Sequence, residues 1–83
     1  MDNRGDNTGV KVYPIPAHSF IYVKSDEIVS DVIIYGMDGN IVLQKEINAS
    51  AGMLQVQSLA SGTYILKIIA SDQSYVRKLL ITR

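Results

Sequence analysis

His18 is the only imidazole in the 83-residue chain, and there is no cysteine to supply a thiolate. Metal or acid/base chemistry needs several donors converging at defined spacing. A single histidine beside the turn Pro14-Ile15-Pro16 is therefore read as structural or solvated. None of the serines has a histidine at an informative spacing. No Gly-x-Ser-x-Gly elbow is present, and no glycine-rich loop leads from a strand into a helix to hold phosphate. Asp2, Asn3, Asp6 and Asn7 are oxygen donors of the kind calcium takes, but they lack the spacing and the terminal bidentate Glu of an EF-hand. Asp26, Glu27 and Asp31 read as solvated charges at strand ends. Arg4-Gly5-Asp6 spells an adhesion tripeptide in a segment whose composition is that of a solvated linker. The expectation is a protein that is not an enzyme and needs no metal or cofactor.

Composition excludes further classes. Eight Lys and Arg balance eight Asp and Glu with no basic stripe, so no nucleic-acid partner and no anionic-membrane partner is expected. The absence of cysteine removes a disulfide framework but is compatible with any compartment. No run approaches the roughly 18 apolar residues of a membrane helix, so direct membrane insertion is not expected. The polar N-terminus lacks the apolar stretch of a secretory signal, so any such signal is expected upstream in a longer protein.

The elements that would position any site are strands. Residues 1–9 have linker composition, and residues 10–83 form one domain. Lys11–Tyr13 is a short extended piece ended by Pro14 and Pro16, which lack N–H donors and so belong at an edge or turn. Phe20–Lys24 is a second strand, closed by Ser25-Asp26-Glu27. Residues 31–37 and 40–47 form a hairpin about Asp38-Gly39, whose two positions suit a type I′ turn. That turn pairs Ile34 with Leu43 and Tyr35 with Val42, and puts Val32, Ile34, Ile41 and Leu43 on one core face. Met53–Gln57 alternates apolar and polar residues with period two. Gly62–Ala70 is a strand with Tyr64, Leu66 and Ile68 inward and Thr63 and Lys67 outward. Asp72 and Gln73 make the next turn, and Ser74–Thr82 closes the domain, its Leu79-Leu80-Ile81 run suggesting cover on both faces. The five tyrosines and Phe20 are expected in the core or in strands rather than as a sugar-stacking platform. Leu59, Gly62 and Tyr64 sit where a tyrosine corner is expected, with the Tyr64 hydroxyl bonded to nearby backbone. Seven strands at nearly regular spacing, with no helical periodicity, predict an all-β fold: a seven-stranded antiparallel immunoglobulin-like β-sandwich.

Residues 12–17, with Pro14 and Pro16, the strand and turn from Val32 through Asp38, Gly39 and Val42, the run from Leu59 through Gly62 and Tyr64 to Lys67, and Lys78–Ile81 together resemble the C-terminal sorting domain of type IX secretion in Bacteroidetes. The resemblance spans residues 10–83. It departs at Ile15, where the family usually has Asn between the prolines, and at Gly36, where an acidic residue or Asn commonly follows the strand tyrosine.

The resemblance implies a non-catalytic address label on a larger cargo. That cargo passes through the periplasm and is carried by the outer-membrane translocon and its shuttle proteins to the cell surface or the medium. In many cargoes of this kind a surface sortase cuts in the preceding linker, which here maps to Asn7, Thr8 and Gly9 within residues 3–10. Recognition maps to Gly62, Tyr64 and Leu66 and to Lys78, Leu79, Leu80, Ile81 and Arg83. Exposed strand edges allow a weak homodimer. The competing expectation is an immunoglobulin-like or fibronectin-like module for adhesion or glycan binding, with an accessory domain of a surface complex as a third, because a sandwich fold alone decides no function.

Overall fold

A computed structural model of the protein describes residues 9–82. Residues 1–8 and Arg83 lie outside the described residues. With them go most of the expected linker, including Asn7 and Thr8, the oxygen donors at 2, 3, 6 and 7, the Arg4-Gly5-Asp6 tripeptide and the last basic position.

The described chain is all-β, with five strands in one antiparallel sheet: β1 (Val10–Tyr13), β2 (Phe20–Tyr35), β3 (Ile41–Gln55), β4 (Gly62–Ala70) and β5 (Gln73–Ile81). The long strand β2 is its spine. Along one side of β2 lie first β1, in the register Val10↔Ser25 to Tyr13↔Tyr22, and then β4, in the register Tyr35↔Ile65 to Val29↔Ala70. β3 follows the other side for nearly its whole length, and β5 pairs with the outer side of β4. Period-two alternation then sends Ile21, Val23, Val32, Ile34, Leu66, Ile68, Leu79 and Ile81 into one shared core. Burying each such side chain contributes about 1.5–3 kcal/mol.

Five strands replace the expected seven, and a single curled sheet replaces the expected pair of sheets of an immunoglobulin-like sandwich. Two of the expected breaks are bends within strands. At Ser25-Asp26-Glu27 the strand does not stop: Ser25 is buried, its Oγ accepts the Glu27 N–H at 3.1 Å, and a register shift between Lys24 and Val29 absorbs the extra residues as a bulge. The expected strands 20–24 and 31–37 thereby fuse into β2. In β3, Asn48 takes φ 53° and Ile47 folds down on Gly52, where a Cβ would lie only 2.7 Å from Ile47 Cδ1. Only glycine admits that approach without displacing Ile47, so 40–47 and 53–55 join through a corner. Residues 56 and 57 leave the strand as a turn, closed by the Leu59 N–H donating to the Val56 carbonyl at 3.1 Å.

The β2–β3 turn also departs from expectation. The Gly39 N–H donates to Gly36 O at 2.9 Å, placing Met37 and Asp38 at the centre, and only Gly39 has positive φ, at 90°. This is a three-residue loop with a glycine bulge rather than a type I′ pair. The added residue leaves Ile34↔Leu43 as expected but shifts Tyr35 onto Ile41 instead of Val42. Ile41 consequently leaves the core face and is 55% exposed, and Leu43 is only half-buried. The β4–β5 turn is Ser71-Asp72, one residue earlier than expected, with Ser71 at φ 55° and Ala70 paired with Gln73.

The curl brings the outer margin of the sheet back to the chain that leaves β1. Ala17 N–H donates to Leu80 O at 2.8 Å and Thr82 N–H donates to Ala17 O at 2.9 Å, a parallel bridge between Ala17 and Ile81. Pro14 and Pro16, both with cis X–Pro bonds, make the turn that carries the chain from β1 to that bridge.

Candidate functional site

The residues singled out near the C-terminus come together at the open end of the β4–β5 hairpin, away from its turn. Gly62 stands opposite Ile81, Tyr64 opposite Leu79, Ile65 opposite Lys78 and Leu66 opposite Arg77. Strand alternation divides them into two sets. Leu66, Leu79 and Ile81 are fully buried, and any part they take in recognition runs through packing. Lys78 and Leu80 point to solvent. The apolar run 79–81 is thus covered on one face only, where cover on both was expected, and Leu80 is exposed because nothing among the described residues crosses that side of β5.

Backbone and side-chain bonds hold this end in shape. Tyr64 Oη donates to Ala60 O at 2.6 Å, the expected tyrosine corner, and buried Leu59 anchors the same turn. His18 reaches across from the loop after Pro16: its Nδ1 lies 3.0 Å from the Thr82 carbonyl oxygen and 3.2 Å from the Thr82 hydroxyl. The carbonyl can only accept, so Nδ1 carries a proton in this contact. His18 therefore clamps the end of β5 to the chain after β1.

The acidic residues are dispersed. Asp26 lies against Gly9, whose carbonyl accepts the Asp26 N–H at 3.0 Å. Asp38 accepts from the Asn40 N–H at 3.1 Å and from Asn40 Nδ2 at 2.9 Å, bracing the hairpin loop. No group of three or more His, Cys, Asp or Glu able to hold a metal occurs among the described residues. No helix among them is long and apolar enough to cross a membrane.

Two surface features were not anticipated. The first is a row of rings on the outer face of β1 and β2. Tyr13 and Tyr22 have centroids 5.6 Å apart, Phe20 and Tyr22 5.2 Å apart, and all three side chains are well exposed. Alternation along Phe20-Ile21-Tyr22 already puts two rings on one face. The third depends on the β1–β2 register, which no local pattern reveals.

The second is an open groove lined by Val10, Lys11, Val12, Tyr13 and Ile15 on one wall and by Arg77 and Lys78 on the other. Its walls are remote in sequence and meet because the sheet curls. Its one local sign is the proline pair, which marks where β1 must leave the sheet.

Comparison with known proteins gives one family. Residues 11–82 match the family model described as the secretion system C-terminal sorting domain. No curated protein matches the chain. Among solved structures, the sulfur carrier protein SoxY from Chlorobium limicola f thiosulfatophilum is similar over 93% of this chain and 82% of that one, at 12% identity and a TM-score of 0.49. At that level nothing about function passes between the two.

Proposed function

The chain belongs to the family of secretion system C-terminal sorting domains, and from that premise we propose that residues 10–83 direct an attached cargo protein through the outer-membrane type IX translocon to the cell surface. A sorting signal of type IX secretion implies the export machinery in general as partner and the surface or exterior as destination. The finer reading is ours. Shuttle proteins grip the open end of the β4–β5 hairpin, where Tyr64 fixes the corner and Lys78, Leu80 and Arg83 form the contact, after transit through the periplasm. In cargoes that are released, a surface sortase cuts at Asn7–Gly9.

The observation that carries the proposal is the family match across nearly the whole chain. The exposure of Lys78 and Leu80 beside a rigid corner supports the choice of surface. A folded tag can offer such a surface with no reactive group at all. The test fuses residues 1–83 to a periplasmic reporter in a host with type IX secretion. Surface export is expected with the domain and not without residues 10–83, and Leu80→Ser is expected to lower it several-fold while leaving the urea midpoint unchanged. Equal export with and without the domain overturns the proposal. Removing Lys78–Arg83 would be a poor substitute, because it takes Leu79 and Ile81 out of the core.

The ring row Tyr13–Tyr22–Phe20 favours a second reading, a glycan-binding module. Retention on a glycan array that disappears with Tyr22→Ala supports it. Equal retention of wild type and variant excludes it.

A further inference from the structure

The outer edge of β5, the side not paired with β4, takes backbone bonds from Ala17 alone among the described residues, and Arg77 Nη1 donates to the Val76 carbonyl on that edge at 3.1 Å. At Ala17 that edge already accepts an extended chain running parallel to it, through the two bonds to Leu80 and Thr82. The row stops there for a local reason. Pro16 and Pro14 have no N–H to continue it, and before them β1 turns aside to pair with β2. The groove between β1 and β5 is the space that this divergence leaves.

The chemistry of its walls is one-sided. Apolar Val10, Val12, Tyr13 and Ile15 are joined by Lys11, Arg77 and Lys78, and the described lining residues include no carboxylate. Lys11 also stands directly opposite Lys24 in the β1–β2 register, so its nearest cross-strand neighbour is a second cation. Like charges placed directly opposite are unfavourable, and an incoming anion relieves the pair. A second copy of this chain is a poor occupant. Symmetric pairing of two β5 edges would set Arg77 and Lys78 of one copy near those of the other.

We infer that the groove between β1 and β5 receives an extended segment of a partner protein, alternating apolar and acidic side chains, which continues along β5 the row begun by Ala17 and sets carboxylates against Lys11 and Lys78. The inference rests on the sorting-domain reading, since the partner is then a component of the export machinery. Strand addition supplies the backbone bonds, and the cations select the partner.

Two measurements test it. The first uses the isolated chain and two synthetic ten-residue probes, one alternating Val and Glu and the other alternating Val and Lys. The acidic probe is expected to slow hydrogen exchange at least tenfold for the β5 amides that face away from β4, and the basic probe to leave them unchanged. Lys11→Glu with Lys78→Glu, both at exposed positions, is expected to reverse that preference without lowering the urea midpoint, since Glu at 11 faces Lys24 across the strands. No slowing by the acidic probe, or equal slowing by both, overturns the inference.

The second compares export of the reporter fusion. Export that falls at least tenfold with Lys11→Glu alone, a position on β1 outside the β4–β5 contact, supports the groove. Wild-type export by Lys11→Glu, with the domain-less reporter retained, overturns the groove and leaves the sorting function standing. Export of the domain-less reporter overturns the sorting function, and the exchange measurement then decides the groove alone.

Discussion

The sheet has two long margins, and they are built differently. The outer edge of β3 runs for fifteen residues and is broken by a corner at Asn48–Gly52. Across that corner Lys45 Nζ donates to the Met53 carbonyl at 2.9 Å, occupying a backbone acceptor that a foreign strand would need. Bending and a lysine are two of the ways natural sheets blunt an edge. The edge of β5 has no such bend: it follows β4 in unbroken register for nine residues. Its middle carries exposed Lys78, and Arg77 Nη1 donates to the Val76 carbonyl at 3.1 Å, while Ala17 holds one end. One margin is bent and guarded, and the other is straight and set with cations.

The inner faces differ as well. β5 sends Leu79 and Ile81 fully into the core, whereas the first half of β3 offers only half-buried Leu43 and Ile47. Leu79→Ala is therefore expected to destabilise by about 2–5 kcal/mol and Leu43→Ala by clearly less, read as urea midpoints. Equal losses would erase the distinction between a core strand and an overhanging one.

Next in size, Gly52→Ala is expected to cost about 1–3 kcal/mol by crowding Ile47. Most of that cost should disappear in an Ile47→Ala background, and its persistence there would mean that the corner of β3 is not held by this contact. Tyr64→Phe removes the bond to Ala60 that shapes the open end beside β5, for an expected loss of about 1 kcal/mol. An unchanged midpoint would leave that end without its brace.

The smallest effect on stability is expected at the guard itself. Lys45→Met should change the midpoint by less than about 1 kcal/mol. It should also raise self-association, measured by sedimentation, because the Met53 carbonyl is released on an open edge. A monomer at every concentration would show that bending alone protects β3.

What could be read in advance was whatever depends on neighbours in sequence. Alternation in Gly62–Ala70 gave that strand its bounds and its inward set, and the Leu59 to Tyr64 spacing gave the corner. The Asp38-Gly39 turn was located but mistyped, because a three-residue loop and a two-residue loop share the same glycine signal and differ only in backbone bonds that composition does not encode. Ser25-Asp26-Glu27 misled for a related reason. Polar residues mark a bulge as readily as a strand end, and only the long-range pairing of β2 with β3 and β4 distinguishes the two. The groove was invisible because its walls lie more than sixty residues apart.

That separation has a kinetic side. The hairpins β2–β3 and β4–β5 close over short loops, whereas Ala17 must find Ile81, and His18 must find Thr82, across 64 positions. Entropy makes such long closures late events. A chain interrupted just before Leu79 could form the β2–β3 hairpin and the turn end of β4–β5 yet would leave the places of Leu79 and Ile81 empty, so completion of the fold depends on the last few residues of β5.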